Sequence, residues 1–351
     1  MVSWRAVDAP NLSALPQNPR ILVIRLSAMG DLVFALPAVK ALKDARPDAK
    51  IEWLVEDKHA ALLNSCPFID KVLLFPRSSL GKLMLPLRLA KHLAQLKKYG
   101  AYDLVIDFQS NLKSALQLTA IKSKCKMGFA APIAKEGAQR FHHVNVHAEK
   151  RMPRAIRDGE LLRAILPNAV IPDYVHWPID AEIVNGYSSS DLTLLHTTTT
   201  QYGRDKDWGA DKWTSLAQQL KSEGHKVALL HTPADAEYVN DIAVAAGVDL
   251  APATPSIEYL LALLDTARLL ISTDSGPAHI ASLRGTKVVC LFGATDPLIY
   301  SPPGDRHKLE IVYANALNIA PPKRQRDRQS PLMQAITVAE VLAASESLLK
   351  V

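Results

Sequence analysis

Three groups of residues in this chain of 351 have the types and spacing to do chemistry. The most distinctive is Thr273-Asp274-Ser275-Gly276-Pro277, set between the apolar run Leu269-Leu270-Ile271 and the small-residue stretch 278–283. Ser275 or Asp274 can cap a helix there, and Pro277 suits its first turn. Gly276 lets a ligand come close to the backbone. A helix start bare of bulky side chains offers unpaired N–H groups and a partial positive charge, which fits a phosphate. His279 falls in the first turn, at the same mouth. The plainer reading is a capped corner between strand and helix with no ligand at all.

The second group is spread over the βα turns. Asp31 follows Gly30 after the first apolar run, Arg20 to Leu26. It is either a helix-capping carboxylate or a base that draws a proton from a substrate. Thr197-Thr198-Thr199-Thr200 follow the run that ends at His196, with Lys206 and Trp208 beyond. Hydroxyls and a lysine at a strand end suit a pyrophosphate; a polar surface loop is the alternative. Asp235 occupies a corresponding turn further on, where an acid can take ribose hydroxyls or cap a helix. The third group is the stretch 139–157, with Arg140, Lys150, Arg151, Arg154, Arg157 and three histidines. It is read as an anion-binding loop or a solvated surface. No acid or cysteine spacing turns its histidines into a metal site. A further basic run, residues 323–328, reads as a solvated loop.

The elements that position these residues alternate. Apolar runs at 20–26, 50–55, 71–75 and 102–108 read as strands, separated by helical stretches at 32–45, 58–64 and 83–98. Residues 111–122 and 158–166 read as further helices. Pro167, Pro172, Pro178, Gly186 and a serine triplet mark a linker. The alternation then restarts, with strands at 192–196 and 226–230 and helices at 211–223, 234–246 and 256–266. The expected class is therefore α/β, with two doubly wound parallel sheets that bind ligands at the carboxyl ends of their strands, in a cleft between the halves. The divisions are a leader over 1–19, an N-terminal domain over 20–175, a C-terminal domain over 176–330, and a last helix within 331–351 that packs back on the N-terminal domain.

Composition sets the outer bounds. Apolar residues make up 48% and charged residues 22%, which suits a globular chain with real cores. The net charge of +6 suits an acidic partner: nucleic acid, an anionic membrane surface or an acidic small molecule. No apolar run is long enough to cross a bilayer, and the leader lacks a secretory core. Cys66, Cys125 and Cys290 stand far apart and form no CxxC pair, which points to a reducing cytoplasm. The basic stretches lack the interleaved aromatics of a single-strand platform, so nucleic acid is not the expected partner.

Taken together, the pieces resemble one family. RILVIRLSAMGDLVFALPAVKALKDARPDAKIEWLVED followed by PFIDKVLLFP resembles the N-terminal signature of bacterial lipopolysaccharide-core heptosyltransferases, glycosyltransferase family 9. STDSGPAHIASLRGTKVVCLFGATDP resembles their C-terminal donor-binding signature, and the segment from His196 to Trp208 their Thr-rich loop. The resemblance implies the GT-B architecture, two Rossmann-like domains facing a cleft. It implies an inverting enzyme, without metal or other cofactor, that moves heptose from ADP-heptose to an anionic inner-core sugar. Asp31 would be the general base. Thr198, Thr199, Lys206, Asp235, Asp274, Ser275, Gly276 and His279 would hold the donor. The N-terminal half would take the acceptor, with Arg140, Lys150, Arg151, Arg154 and Arg157 as its basic contacts. A cytoplasmic location follows, with room for peripheral contact at the inner membrane surface. Two departures stand out: the family commonly has glutamate where Asp235 stands, and Gln201-Tyr202-Gly203-Arg204 reads as an insertion in the Thr-rich loop. Other readings are a relative using another nucleotide sugar or acceptor, and a nucleotide-binding protein without turnover.

Overall fold

The alternation of apolar and amphipathic stretches folds into two parallel sheets. The structure is a computed structural model, and it describes residues 10–78, 85–184, 187, 191–199, 201–314, 326 and 328–350. Lys323, Arg324, residues 1–9 of the leader and the serine triplet of the linker lie outside the described residues. The chain divides into two compact units, residues 1–172 and 173–351.

Unit 1 carries β1 (Arg20–Ile24), α1 (Met29–Ala45), β2 (Lys50–Glu56), α2 (Ala60–Asn64), β3 (Lys71–Phe75), α3 (Leu85–Lys97), β4 (Ala101–Asp107), α4 (Leu112–Leu118), β5 (Lys122–Phe129), β6 (Val144–Val146) and α5 (Arg154–Arg163). Its strands pair in parallel in the order β3-β2-β1-β4-β5-β6. The order reverses direction between β1 and β4, and ligands of such sheets bind outside the carboxyl ends of the strands at that point. The central strands are buried on both faces, so they read as near-continuous apolar runs. Leu22, Ile24, Leu54, Leu73, Val105 and Leu118 make one side of the core. Trp53 is fully buried and donates its indole N–H to the Arg25 carbonyl at 3.1 Å.

Unit 2 repeats the plan with β7 (Leu192–His196), α6 (Ala210–Ser222), β8 (Lys226–Leu229), α7 (Ala236–Ala246), β9 (Asp249–Leu250), α8 (Ile257–Thr266), β10 (Leu269–Thr273), α9 (Gly276–Arg284), β11 (Lys287–Phe292), α10 (Pro297–Tyr300), β12 (Leu309–Tyr313), α11 (Pro331–Ala335) and α12 (Val338–Leu349). The parallel order β12-β11-β10-β7-β8-β9 is the same topology, and its reversal lies between β7 and β10. Trp208 and Trp213 meet edge to face at 4.8 Å in its core.

Two expectations change. The helix expected over 111–122 stops at Leu118, because β5 begins at Lys122. Its sequence, KSKCKMGF, alternates lysines outward with Cys125 and Met127 inward, so it lacks the apolar run that marked the other strands. The closing helix breaks in two, where Thr337 caps α12 through a reciprocal bond with Glu340. Val341, Leu342, Leu348 and Leu349 form one apolar stripe on α12 that packs with Leu269, Ile271, Val289 and Leu291 of β10 and β11. The stripe covers a sheet face that would otherwise be open to water.

Candidate functional site

Both reversal points collect polar residues at the carboxyl ends of their strands. In unit 1, Asp31 sits in the first turn of α1, directly after β1. Its Oδ2 accepts the Ala28 N–H at 3.2 Å, so the capping role is real. Its Oδ1 is engaged separately: Arg25 Nη2 lies at 3.1 Å and Arg154 Nη1 at 2.9 Å. Arg25 extends from the end of β1, is only 2% exposed, and gives its other Nη to the Phe108 carbonyl. Arg154 begins α5. The carboxylate therefore has one oxygen fixed by backbone and one gripped by two guanidiniums, while remaining about a quarter exposed (26%). A carboxylate so oriented can take a proton from a hydroxyl brought against it.

Next to this pair lies Asp158, one turn further along α5. It is fully buried, and neither carboxylate oxygen has a hydrogen-bond partner. Burial raises its pKa, opposed by the charges of Arg25, Arg154 and Arg157. The five basic residues of 139–157 are thus not one loop. Arg140, Lys150 and Arg151 are exposed. Arg154 holds Asp31, and Arg157 is buried with its guanidinium 5.8 Å from the Phe129 ring. The difference arises because 154–157 already belong to a helix whose inward face turns these two side chains away from solvent.

In unit 2, Asp274 follows β10 and is 4% exposed. Lys206 donates to its Oδ2 and to its backbone carbonyl, both at 2.7 Å. Thr295 donates to the same Oδ2 at 2.7 Å, and His279 Nε2 stands 2.9 Å from Oδ1. Burial opposes ionisation here, but the Lys206 ammonium and the His279 bond hold the carboxyl well below the usual range. The protein engages both oxygens of Asp274, which thereby fixes Lys206 and His279. Ser275 caps α9, accepting from Ala278 N at 3.4 Å, with Gly276 first in the helix and Pro277 after it. Thr198 and Thr199 are half-buried after β7, and Asp235 stands at the start of α7 without a side-chain capping bond; its Oδ1 instead accepts the Thr232 N–H and hydroxyl, each at 2.6 Å. Trp208 belongs to the core, its indole N–H bound to the Ile336 carbonyl at 3.0 Å.

Several participants were not singled out from sequence. Arg25 had a signal, because an arginine inside a buried strand needs a partner. Thr295 and Asp158 had none, since their meaning depends on contacts made across the fold. His196 reads in the sequence only as the end of a strand. Among the described residues no cluster of three or more His, Cys, Asp or Glu could hold a metal, and no helix is long and apolar enough to cross a membrane.

Known proteins share this arrangement of elements. The model of the family "Glycosyltransferase family 9 (heptosyltransferase)" matches residues 87–332. Lipopolysaccharide heptosyltransferase 3 of Escherichia coli is 25% identical over 344 residues, covering 91% of this chain and 96% of its own. Lipopolysaccharide heptosyltransferase 1 of Salmonella typhimurium is 26% identical over 288 residues, with 79% of this chain and 89% of its own covered. The solved structure of the E. coli heptosyltransferase WaaC with ADP superposes with a TM-score of 0.74 at 22% identity, over 94% of this chain and 99% of that one.

Proposed function

The chain belongs to glycosyltransferase family 9 and is a glycosyltransferase, and from that premise we propose that it moves heptose from ADP-heptose to an anionic inner-core sugar of lipopolysaccharide, with inversion and without a metal. The observation that carries this reading is the setting of Lys206. Its ammonium is tied to Asp274 directly before the start of α9, so a cation and a helix N-terminus share one place. Charge of that sign at that place suits the diphosphate of a leaving nucleotide. A relative of the same fold was solved with ADP, and the curated relatives are named for lipopolysaccharide heptose transfer.

The step is a single displacement. The acceptor hydroxyl attacks the anomeric carbon, its proton passes to the Asp31 carboxylate, and the bond from that carbon to the ADP oxygen breaks with its electron pair left on ADP. Negative charge grows on the diphosphate, and Lys206 with the backbone N–H groups of α9 answers it, which gives a metal no necessary part. Arg25 and Arg154 aim the carboxylate. Thr198, Thr199, Ser275, Gly276, His279 and Asp235 line the donor side. The exposed Arg140, Lys150 and Arg151 meet the acidic acceptor, whose attachment to a lipid suits an enzyme at the cytoplasmic face of the inner membrane.

The test is to incubate the protein with a panel of nucleotide sugars and candidate acceptors and to follow release of nucleoside diphosphate. Release of ADP from ADP-heptose that depends on an inner-core acceptor is the expected result. Release from a different nucleotide sugar would keep the glycosyltransferase and replace the donor.

A further inference from the structure

His196 closes β7, and its register partner on β10 is Ser272. Partners in a parallel pair stand side by side on one face, so the two side chains meet: His196 Nδ1 lies 3.0 Å from Ser272 Oγ and 3.3 Å from Ser275 Oγ. On the other side of the ring, Nε2 lies 3.5 Å from Thr198 Oγ1. Thr198 in turn hydrogen-bonds Asp235. One imidazole thus touches the cap of α9 and the Thr-rich loop.

Counting protons fixes the direction of the bonds on the two sides of the ring. The hydroxyls of Thr232 and Thr198 favour the ionised form of Asp235 over the opposing effect of burial, and an ionised carboxylate can only accept. Thr198 has one hydroxyl proton, and it goes to Asp235. Its oxygen can then only accept from His196, which requires the ring proton on Nε2. Burial pushes the imidazole down to about 4, so near neutral pH the ring is uncharged and has a single N–H. Nδ1 is therefore an acceptor. Ser272 and Ser275, whose hydroxyl oxygens lie 2.9 Å apart, both stand within reach of Nδ1, so this serine pair supplies the donor to it. Ser275 Oγ still accepts from Ala278 N as the helix cap.

We propose that His196 is a positioning residue for the donor diphosphate, acting through a hydrogen-bond relay from the Ser272–Ser275 hydroxyl pair through His196 and Thr198 to Asp235. The relay rests on the reading of unit 2 as the nucleotide-sugar site, and it adds what that reading lacks: a part that holds the cap of α9 and the Thr-rich loop in one geometry before the ligand arrives. The hydroxyls are already bonded within the relay, so binding has less to order, and affinity gains by the cost avoided. The relay also commits the Thr198 hydroxyl proton inward, to Asp235. The diphosphate then meets backbone N–H groups and Lys206 as its donors, with Thr198 and Ser275 shaping the walls.

The experiment uses the full chain. Nitrogen-15 spectra of histidine-labelled protein should show His196 as the neutral Nε2–H tautomer at pH 7, and Thr198→Val should shift it toward Nδ1–H. ADP-induced rises in melting temperature and donor KM are then compared across three variants. His196→Phe keeps the volume and removes both ring nitrogens. It should lose most of the ADP shift and raise the donor KM roughly 10-fold, the effect of one lost buried hydrogen bond, with kcat nearly unchanged. His196→Asn restores an acceptor near Ser275 and His196→Gln a donor near Thr198, so each should recover part of the shift; a role in packing alone would not respond this way. If the phenylalanine variant does not fold, the asparagine and glutamine variants against wild type carry the comparison. An Nδ1–H tautomer in wild type, or full ADP shifts in the folded variants, would overturn the relay while leaving the donor reading intact. A wild type that no nucleoside diphosphate stabilises would instead overturn the donor reading and the relay with it.

Discussion

The two units share a sheet topology and differ in how each treats a buried carboxylate beside its reversal point. Asp158 in unit 1 and Asp274 in unit 2 are 0% and 4% exposed. Three arginines surround Asp158, but no hydrogen bond reaches its oxygens, and burial raises its pKa. Asp274 has one ammonium, one imidazole and one hydroxyl in direct contact, and its pKa falls. Cations nearby are thus not equivalent to cations bonded. Arg25 and Arg154 direct their charge at Asp31, and Asp158 sits behind them. Unit 1 uses its charge to aim a partly exposed carboxylate, and unit 2 uses a buried carboxylate to aim a lysine.

The sharpest way to break this contrast is at the aimed carboxylate. Asp31→Asn keeps size and hydrogen bonding but cannot take a proton, so turnover should fall roughly 100-fold or more while ADP affinity, measured by calorimetry, changes little. Near-normal turnover would leave Asp31 as a helix cap only. At the aimed lysine, Lys206→Ala removes the cation and strands a buried charge, which should cost about 3–5 kcal/mol in denaturant unfolding and abolish the rise in melting temperature that ADP gives. Wild-type protein should respond more to ADP than to UDP or GDP. Equal responses would mean phosphate binding without selection of the base.

A smaller effect divides the basic residues of 139–157. Lys150→Ala with Arg151→Ala should raise the acceptor KM several-fold and make it less sensitive to salt, with the donor KM unchanged, because screened surface charge acts mainly on encounter with an acidic partner. Arg154→Ala should instead lower kcat, since it frees Asp31 from one of its two guanidiniums. Equal effects on acceptor KM from both changes would return all the cations to one function.

Most of the fold was legible in the sequence because its strands are buried on both faces and its helices begin at small polar caps. β1, β3, β7 and β10 are plain apolar runs, and Ser275 with Pro277 announces α9. β5 hid behind its outward lysines, and the apolar stripe of α12 states that it is buried but not against what. The site was legible in its residue types and less so in their duties. Lys206, Asp274 and His279 meet, but no spacing shows that Asp274 serves the other two. Arg154 looked like a loop cation because nothing in the local pattern reveals that α5 returns it to β1.

The subtlest test of the contrast is Asp158 itself. A carboxyl whose folded-state pKa is raised binds its proton more tightly folded than unfolded. Between the unfolded value, near 4, and the raised folded value, the native state carries more protons than the unfolded state, so stability falls as pH rises through that window and levels off above it. The slope is about 1.4 kcal/mol per pH unit at most, for one group. Asp274 has the opposite sign: its folded pKa is lowered, so its contribution is complete above about 4 and is lost only as pH falls below that. Asp158→Asn cannot titrate and keeps the shape of the neutral acid. Against wild type in urea unfolding, the variant should therefore be near parity at pH 4 and should gain as pH rises toward 7, whereas Asp274→Asn should be less stable at every pH above 4. Should Asp158→Asn instead lose stability as pH rises, the arginines around Asp158 bond it in solution as Lys206 bonds Asp274, and the difference between the two units disappears.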